Sequence, residues 1–330
     1  MLKKCIVMIL LLGSLCAQHP HRSLAQQRTY SPTDVQRLAL YKKMETVTSI
    51  PWYYYAGVDQ YERSIRLTSR EKGKPTGVIG IYFSGLQWVG PLNPVLTDRN
   101  PQSIMLFGGV GLDGNNDGIA NPDDDEDLLY SFAKKLMPYG FDKENVAIGL
   151  WNYYKRDKAV SMIMQNASVY KTYGTVALHD HSFVVPLHAN YSYRDTWGAR
   201  RGYGGRRIHE GTDIFADYGV PVKAASYGVV ETKGWNRFGG WRIGIRDINN
   251  IYHYYAHLSS FHKDIQKGDI VKPGTIVGYV GSSGYGPPGT SGKFPPHLHY
   301  GMYRDNGYTE WAFDPYPSLK VWERQERLKK

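Results

Sequence analysis

The stretch His209-Glu210-Gly211-Thr212-Asp213 decides how the second half of this 330-residue chain is interpreted. It lies among short apolar runs, at 175–178, 228–230 and 275–280, which glycine and proline separate from one another. Runs of this length between turn-forming residues are typical of strands. We therefore predict that the chain is β-rich after Gly174.

Two further histidine motifs follow in the same half, Tyr255-Ala256-His257-Leu258 and His297-Leu298-His299. Side chains alternate between the faces of a strand, so residues two or four apart within a motif can project from one side of a sheet. The three motifs could thus bring five polar groups to one cavity. Zinc in a hydrolase needs three protein ligands and an open position for water, which leaves two groups as general base and oxyanion donors.

Together the three histidine motifs resemble those of the lysostaphin-type (M23) zinc metallopeptidases. The similarity covers about residues 197–303. It implies an antiparallel, β-rich peptidase domain in which His209, Asp213 and His299 bind one zinc ion.

The same resemblance implies roles for the remaining groups. His257 and His297 are the expected catalytic pair, and Tyr203 is the nearest counterpart of a tyrosine that steadies the oxyanion in some members. The implied substrates are the stem peptides of peptidoglycan. Aromatic side chains near the motifs are predicted to line the substrate groove or to pack in the core. They are Trp235, Phe238, Trp241, Tyr252, Tyr285 and Phe294.

The first half of the chain is mostly helical in pattern. Ser31-Pro32 is a helix start signal, and Leu128, Leu129, Phe132 and Leu136 form an amphipathic stripe. With the β-rich second half, the pattern predicts an α+β chain.

The helical half is weakly similar to lytic transglycosylase (lysozyme-like) domains. Glu62 lies near the position of the acid in such domains, but Arg63 interrupts the expected Glu-Ser pair, and the stretch 80–83 lacks a glutamine. Glycan cleavage needs a positioned acid. The resemblance therefore implies a degenerate domain that binds glycan or positions the peptidase.

One loop of the helical half, Asp113-x-Asn115-x-Asp117-Gly118, resembles the first half of a calcium-binding loop. Asp124 stands where the closing glutamate is expected. The residues fit either a Ca²⁺ site at Asp113, Asn115 and Asp117 or an Asx-rich turn without metal.

Residues 1–25 have the pattern of a secretory signal, with Lys3 and Lys4 before the apolar run 6–15 and small residues at the end. The run is shorter than the ~20 residues of a spanning helix, so we expect no stable membrane insertion after cleavage. Both cysteines lie in this segment, so the mature chain would contain no disulfide.

The charge of the chain bears on its partners. The formal net charge of +10 falls to +7 when Lys3, Lys4 and Arg22 leave with the signal. A basic exported protein is drawn to an anionic polymer such as the cell wall rather than to nucleic acid, although solubility alone also explains the charge.

These patterns divide the chain into a signal (1–25), a helical lysozyme-like domain (26–174), an M23 peptidase domain (175–320) and a charged tail (321–330). The whole arrangement is similar to that of sporulation L-alanyl–D-glutamate endopeptidases of bacilli. It implies secretion to the cell wall or spore cortex of a Gram-positive spore-former.

Two other functions fit parts of the pattern. A non-catalytic M23-like protein, which binds peptidoglycan or activates another hydrolase, would usually lack metal ligands, whereas all five positions are filled here. A non-haem iron oxygenase also uses two histidines and a carboxylate. It usually has a His-x-Asp spacing, and it leaves His257 and His297 without a role.

Overall fold

The computed structural model describes residues 31–67, 76–202 and 207–329. The expected signal segment 1–25 and Tyr203 lie outside the described residues. The helices are α1 (Pro32–Thr48), α2 (Trp52–Arg66), α3 (Gly85–Val89), α4 (Pro101–Leu106), α5 (Asp125–Leu136), α6 (Lys143–Tyr154), α7 (Asp157–Tyr173) and α8 (Tyr316–Leu328). The strands are β1 (Tyr191–Tyr193), β2 (Arg200–Arg201), β3 (Arg207–Ile208), β4 (Thr212–Ala216), β5 (Pro221–Lys223), β6 (Gly228–Asn236), β7 (Gly240–Asp247), β8 (Ile251–Phe261), β9 (Ile270–Val271), β10 (Ile276–Val280), β11 (His297–Asp305) and β12 (Glu310–Phe313).

The helices begin where capping chemistry allows. Ser31 accepts a hydrogen bond from the backbone N–H of Asp34 at the start of α1, and Asp124 accepts two at the start of α5. The predicted stripe of α5 is buried, with Leu129 and Phe132 fully inaccessible. The helical half is therefore held by its own apolar core.

The described strands pair antiparallel throughout. The main sheet has the order β1-β4-β11-β8-β7-β6-β9, with β12 on β11 and β10 joining β5 to β8, while β2 and β3 form a separate hairpin. The predicted α+β class, with helices first and an antiparallel sheet second, is confirmed. The segment 175–178 is not a strand. Its Val176 and Leu178 pack into the helical core, because a short apolar run can be buried against helices without pairing to the edge of a sheet.

The helical half packs against the sheet. Its core includes Tyr227, Val229 and Ile248 from the β half. Across the same contact, the Arg156 guanidinium donates to the buried carboxylate of Asp305 at 2.6 Å. The two halves therefore share a packed surface with a buried ion pair.

The C-terminal segment is not an exposed tail in the structure. Residues 316–328 form α8, whose Leu319 and Trp322 are buried in the core of the sheet. The side chain of Glu323 accepts hydrogen bonds from the hydroxyls of Tyr191 and Tyr193. None of the helices among the described residues is long and apolar enough to cross a membrane.

The loop that resembles a calcium site is organised by its own backbone. Asp113 accepts hydrogen bonds from the backbone N–H groups of Asn116, Asp117 and Gly118. Among the described residues, the metal-competent cluster lies elsewhere. These contacts are those of an Asx-rich turn.

Glu62 lies inside the helical half and is buried. Its carboxylate accepts a hydrogen bond from the hydroxyl of Tyr154 at 2.8 Å. The lysozyme-like character of this half, like the division of the chain into domains, stays a prediction.

Candidate metal centre

Three side chains of the β half meet at one point. The Nε2 atom of His209 lies 2.9 Å from Nδ1 of His299, and Oδ1 of Asp213 lies 3.0 Å from each of these nitrogens. These are the residues among those described whose ligand atoms could hold a metal ion. The sequence therefore brings together residues 90 positions apart in the chain.

Strand register explains the meeting of Asp213 and His299. The two residues are direct partners in the β4–β11 ladder, so their side chains leave the same face of the sheet. His209 reaches them differently. It lies outside β4, and the chain bends at Gly211, where a Cβ atom would come within 2.6 Å of the His299 ring. The bend at Gly211, and not alternation along one strand, therefore brings His209 to Asp213.

The geometry fits a zinc ion. Two ligand atoms 2.0–2.2 Å from one ion, at the tetrahedral angle, lie about 3.3 Å apart. The observed separations of 2.9–3.0 Å are close to that value. The donor set, two imidazoles and one carboxylate, is also one that catalytic zinc takes.

The second nitrogen of His209 fixes the tautomer of its ring. Nδ1 lies 2.8 Å from the carbonyl oxygen of Thr196. A carbonyl can only accept, so the proton resides on Nδ1 and the lone pair of Nε2 faces the group. His209 is therefore oriented as a ligand by its backbone partner.

The protonation of the group also suits metal binding. Burial raises the pKa of Asp213, but the close imidazoles of His209 and His299 outweigh it and hold the pKa well below the usual range. Burial lowers the pKa of His299, although Asp213 opposes this. An ionised carboxylate and a neutral imidazole are the forms that bind metal.

His257 and His297 lie beside this group. Their ring centroids are 4.7 Å apart, and Nε2 of His297 is 4.0 Å from Oδ1 of Asp213. In each ring Nδ1 donates to a backbone carbonyl, that of Ser283 or of Pro295, at 2.7 and 2.8 Å. The Nε2 atoms are thus left available for proton transfer or hydrogen bonding.

His257 reaches the site through a break in strand alternation. Ile251, His253 and Tyr255 of β8 face the core, and regular alternation would send His257 there too. Instead, the pairing of β7 with β8 shifts register between Trp241 and Ile243, and His257 has a left-handed φ of 61°. A bulge with a strained residue commonly re-aims a side chain at a functional site.

Burial also sets the charge of His257. Burial, with the neighbouring His297 and His299, lowers the pKa of His257 to about 3. At neutral pH the ring is therefore uncharged.

An open cavity of about 360 Å³ lies over the candidate metal-binding group, which consists of His209, Asp213 and His299. Phe238 and Tyr285 line it, as predicted from the aromatic loops, whereas Tyr252 lines an adjoining cavity of about 320 Å³. The other predicted aromatics, Trp235, Trp241 and Phe294, do not line either cavity. The lining of the larger cavity is Arg201, Arg207, Ile208, His209, Glu210, Asp213, Asn236, Phe238, Gly239, Tyr254, His257, Tyr285, His299 and Tyr303.

Several of these lining residues were not anticipated from the sequence. Tyr303 lies on β11 four residues after His299, so alternation along that strand would have placed both on one face. Arg201, on β2, donates to the carboxylate of Asp213, on β4. The sequence holds no comparable signal for this contact.

Comparison with known proteins gives this geometry a context. The model of peptidase family M23 matches residues 207–315. The L-Ala--D-Glu endopeptidase of Bacillus subtilis (strain 168) is 57% identical over 308 residues, which is 93% of this chain and 94% of that protein.

More distant relatives match a smaller part of the chain. Lysostaphin of Staphylococcus staphylolyticus is 37% identical over 115 residues, covering 34% of this chain and 22% of that protein. The solved catalytic domain of lysostaphin from Staphylococcus simulans is 35% identical, covers 40% of this chain and 93% of that domain, and has a TM-score of 0.33.

Proposed function

The chain belongs to peptidase family M23, and from this premise we propose that it hydrolyses the bond between L-alanine and D-glutamate in peptidoglycan, with His209, Asp213 and His299 as its zinc ligands. It is an endopeptidase that acts on the cell wall. The observation that carries the proposal is the convergence of two imidazole nitrogens and a carboxylate oxygen, each about 3 Å from the others, at the base of an open cavity.

The ligand residues have a defined task. When bound, zinc supplies Lewis-acid polarisation and lowers the pKa of a coordinated water toward 7. Asp213 contributes a negative charge, and the two histidines remain neutral. The carbonyl of Thr196 holds the ring of His209 in place, which is the usual function of a partner behind a metal ligand.

His257 and His297 are assigned as the catalytic pair. His257 is neutral and buried, so it can take a proton from the attacking water and pass it to the leaving amine. His297, 4.7 Å away between ring centroids, is placed to stabilise the oxyanion that forms on the scissile carbonyl, and it can donate a hydrogen bond there only in the form whose Nε2 also carries a proton, because its Nδ1–H is already donated to the Pro295 carbonyl. Tyr203 remains a proposed further donor to that oxyanion.

The surroundings of the enzyme are also proposed. The signal-like segment 1–25 and the positive net charge favour export and attraction to an anionic wall. The similarity to a Bacillus subtilis endopeptidase over nearly its whole length supports action in the cell wall or spore cortex of a Gram-positive spore-former.

Product analysis tests the proposed bond. Purified peptidoglycan is digested with the zinc-loaded protein, and the new termini are identified by mass spectrometry. We expect new amino termini on glutamate and new carboxyl termini on alanine, with none formed after chelation of the metal. Termini at another bond would refute the assigned specificity, and no new termini would refute peptidase activity.

A further inference from the structure

The cavity next to the group formed by His209, Asp213 and His299 contains an arginine that forms no ion pair with any other described residue. Arg242, on β7, lines the cavity of about 320 Å³ together with Asn236, Tyr252, Tyr254, Tyr303 and Glu310. Asn236, Tyr254 and Tyr303 also line the larger cavity, so the two form one groove.

Strand register places Arg242 on the same face as the metal-binding group. Ile243 and Ile245 of β7 point into the core, so Arg242 points away from it. On that outer face, Gly244 pairs with Tyr254 and Tyr254 with Gly301. Gly301 in turn follows His299 by two residues on β11, which keeps the two on one face.

The other arginines of this groove already have partners. Arg201 donates to Asp213, and Arg207 donates to the hydroxyl of Tyr285 at 3.0 Å while its guanidinium lies over the ring of Phe238. They are therefore less available to a ligand.

Arg242 differs from them. Within the described part of the chain it forms no ion pair, and its Nε atom is buried without a hydrogen-bond partner. Its guanidinium carbon lies 5.9 Å from the centroid of the Tyr254 ring. A buried N–H without a partner is costly, so its presence points to an absent acceptor.

The carboxylate that lines the Arg242 cavity is engaged by other cations. Glu310 also lines the Arg242 cavity, but it lies 2.7 Å from the guanidinium of Arg246 and 3.0 Å from Nζ of Lys158. Lys158 comes from the helical half. Two cations thus compensate Glu310, and the positive charge of Arg242 remains for a ligand.

We infer that Arg242 binds the free carboxylate of the acidic residue on the amine side of the scissile bond. This inference rests on the proposed function. A glutamate within a peptide uses one carboxyl group in the chain, and its other carboxyl group stays ionised at neutral pH. A guanidinium pairs with such a group through two parallel hydrogen bonds.

Matched substrates and variants test the inference. Two stem peptides are compared that differ only in the free carboxylate of D-glutamate, which is replaced in one by a carboxamide. The zinc-loaded full chain is used as wild type and as Arg242→Gln, Arg242→Lys and Arg237→Gln. Arg237 is exposed and lines neither cavity, so its variant removes an equal charge nearby.

We expect the wild type to cleave the carboxylate peptide with a kcat/KM about 10- to 100-fold above that of the carboxamide. Arg242→Gln should lose this preference by slowing the carboxylate peptide far more than the carboxamide, and a thermal midpoint equal to that of the wild type shows that it is folded. Arg242→Lys should keep part of the preference and Arg237→Gln all of it.

Other outcomes overturn the inference in distinguishable ways. If the wild type cleaves both peptides equally, or if Arg242→Gln slows both alike, Arg242 does not bind the carboxylate, although the proposed function stands. If the wild type cleaves neither peptide, the proposed bond is wrong as well.

Discussion

The candidate metal group in the β half (His209, Asp213 and His299) and the 113–118 loop in the helical half both contain aspartate carboxylates, but these carboxylates have different neighbours. In the sheet, Asp213 faces two imidazole nitrogens at 3.0 Å. In the loop, Asp113 faces three backbone N–H groups and Asp117 accepts from the N–H of Ile119. The first carboxylate is directed at other side chains, and the other two are used by the turn itself.

The difference follows from where the residues come from. Carboxylates at alternate positions of one short loop lie beside that loop's own amides, which need acceptors. Asp213 and His299 come from paired strands, and the amide of Asp213 donates to the hydroxyl of Thr196, so these side chains are not needed as acceptors by their own backbone. Convergence from separate elements is therefore the stronger sign of a metal site here.

The largest expected effect is that of removing a ligand from the sheet. His299→Ala should abolish zinc binding at this site and lower peptidoglycan hydrolysis at least about 1,000-fold, because both polarisation and an acidified water are lost. Zinc content and release of new amino groups measure this. A His299→Ala variant with full activity and full zinc content would show that His299 is not a zinc ligand.

A smaller effect is expected beside the metal group. His257→Ala should keep its zinc but lose about 10²- to 10⁴-fold in kcat, as for a missing general base. Metal analysis and steady-state kinetics of the same preparation separate the two properties. Loss of zinc together with activity would instead make His257 a ligand.

In the loop, removing a carboxylate should affect stability rather than activity. Asp113→Ala withdraws the acceptor of three exposed amides and should lower the free energy of unfolding by about 1–2 kcal/mol. Calcium should raise the thermal midpoint of neither the wild type nor the variant. A calcium-dependent rise in the wild type alone would show that the loop is a metal site.

The smallest expected effect concerns pH. Burial raises the pKa of Asp127 to about 6, against the lowering by hydrogen bonds from the N–H groups of Asn121 and Gly114. The folded state therefore holds this proton more tightly than the unfolded state, where the pKa is about 3.9. Stability should fall as pH rises from about 4 to about 6.

Asp127→Asn removes this titration. Thermal midpoints of wild type and variant, measured from pH 4 to pH 7, should shift in favour of the variant as the pH rises. A difference that is constant over this range would contradict the raised pKa.

Much of the fold was accessible from sequence patterns. Ser31-Pro32 and the stripe of Leu128 to Leu136 predicted helices that the structure contains, and the short apolar runs predicted the sheet. The run 175–178 misled because its apolar residues pack on helices. The charged segment 321–330 includes the end of α8, and its many charges gave no sign that Trp322 is buried in the core of the sheet.

The sequence predicted which residues form the candidate site, but not how the backbone positions them. Motif spacing and resemblance pointed to His209, Asp213 and His299, which the structure brings together. Neither pattern could foresee the bulge that turns His257 outward, because register shifts depend on the partner strand. Arg242 was missed for a related reason: that it forms no ion pair among the described residues becomes visible only when the structure shows its neighbours paired with other groups.

The most direct test of the central claim is anomalous diffraction at the zinc absorption edge from crystals of the purified protein. We expect one zinc peak about 2.0–2.2 Å from Nε2 of His209, Nδ1 of His299 and a carboxylate oxygen of Asp213. We also expect a further coordination position open to solvent. A fully occupied zinc at other residues, with these three side chains unliganded, would contradict it.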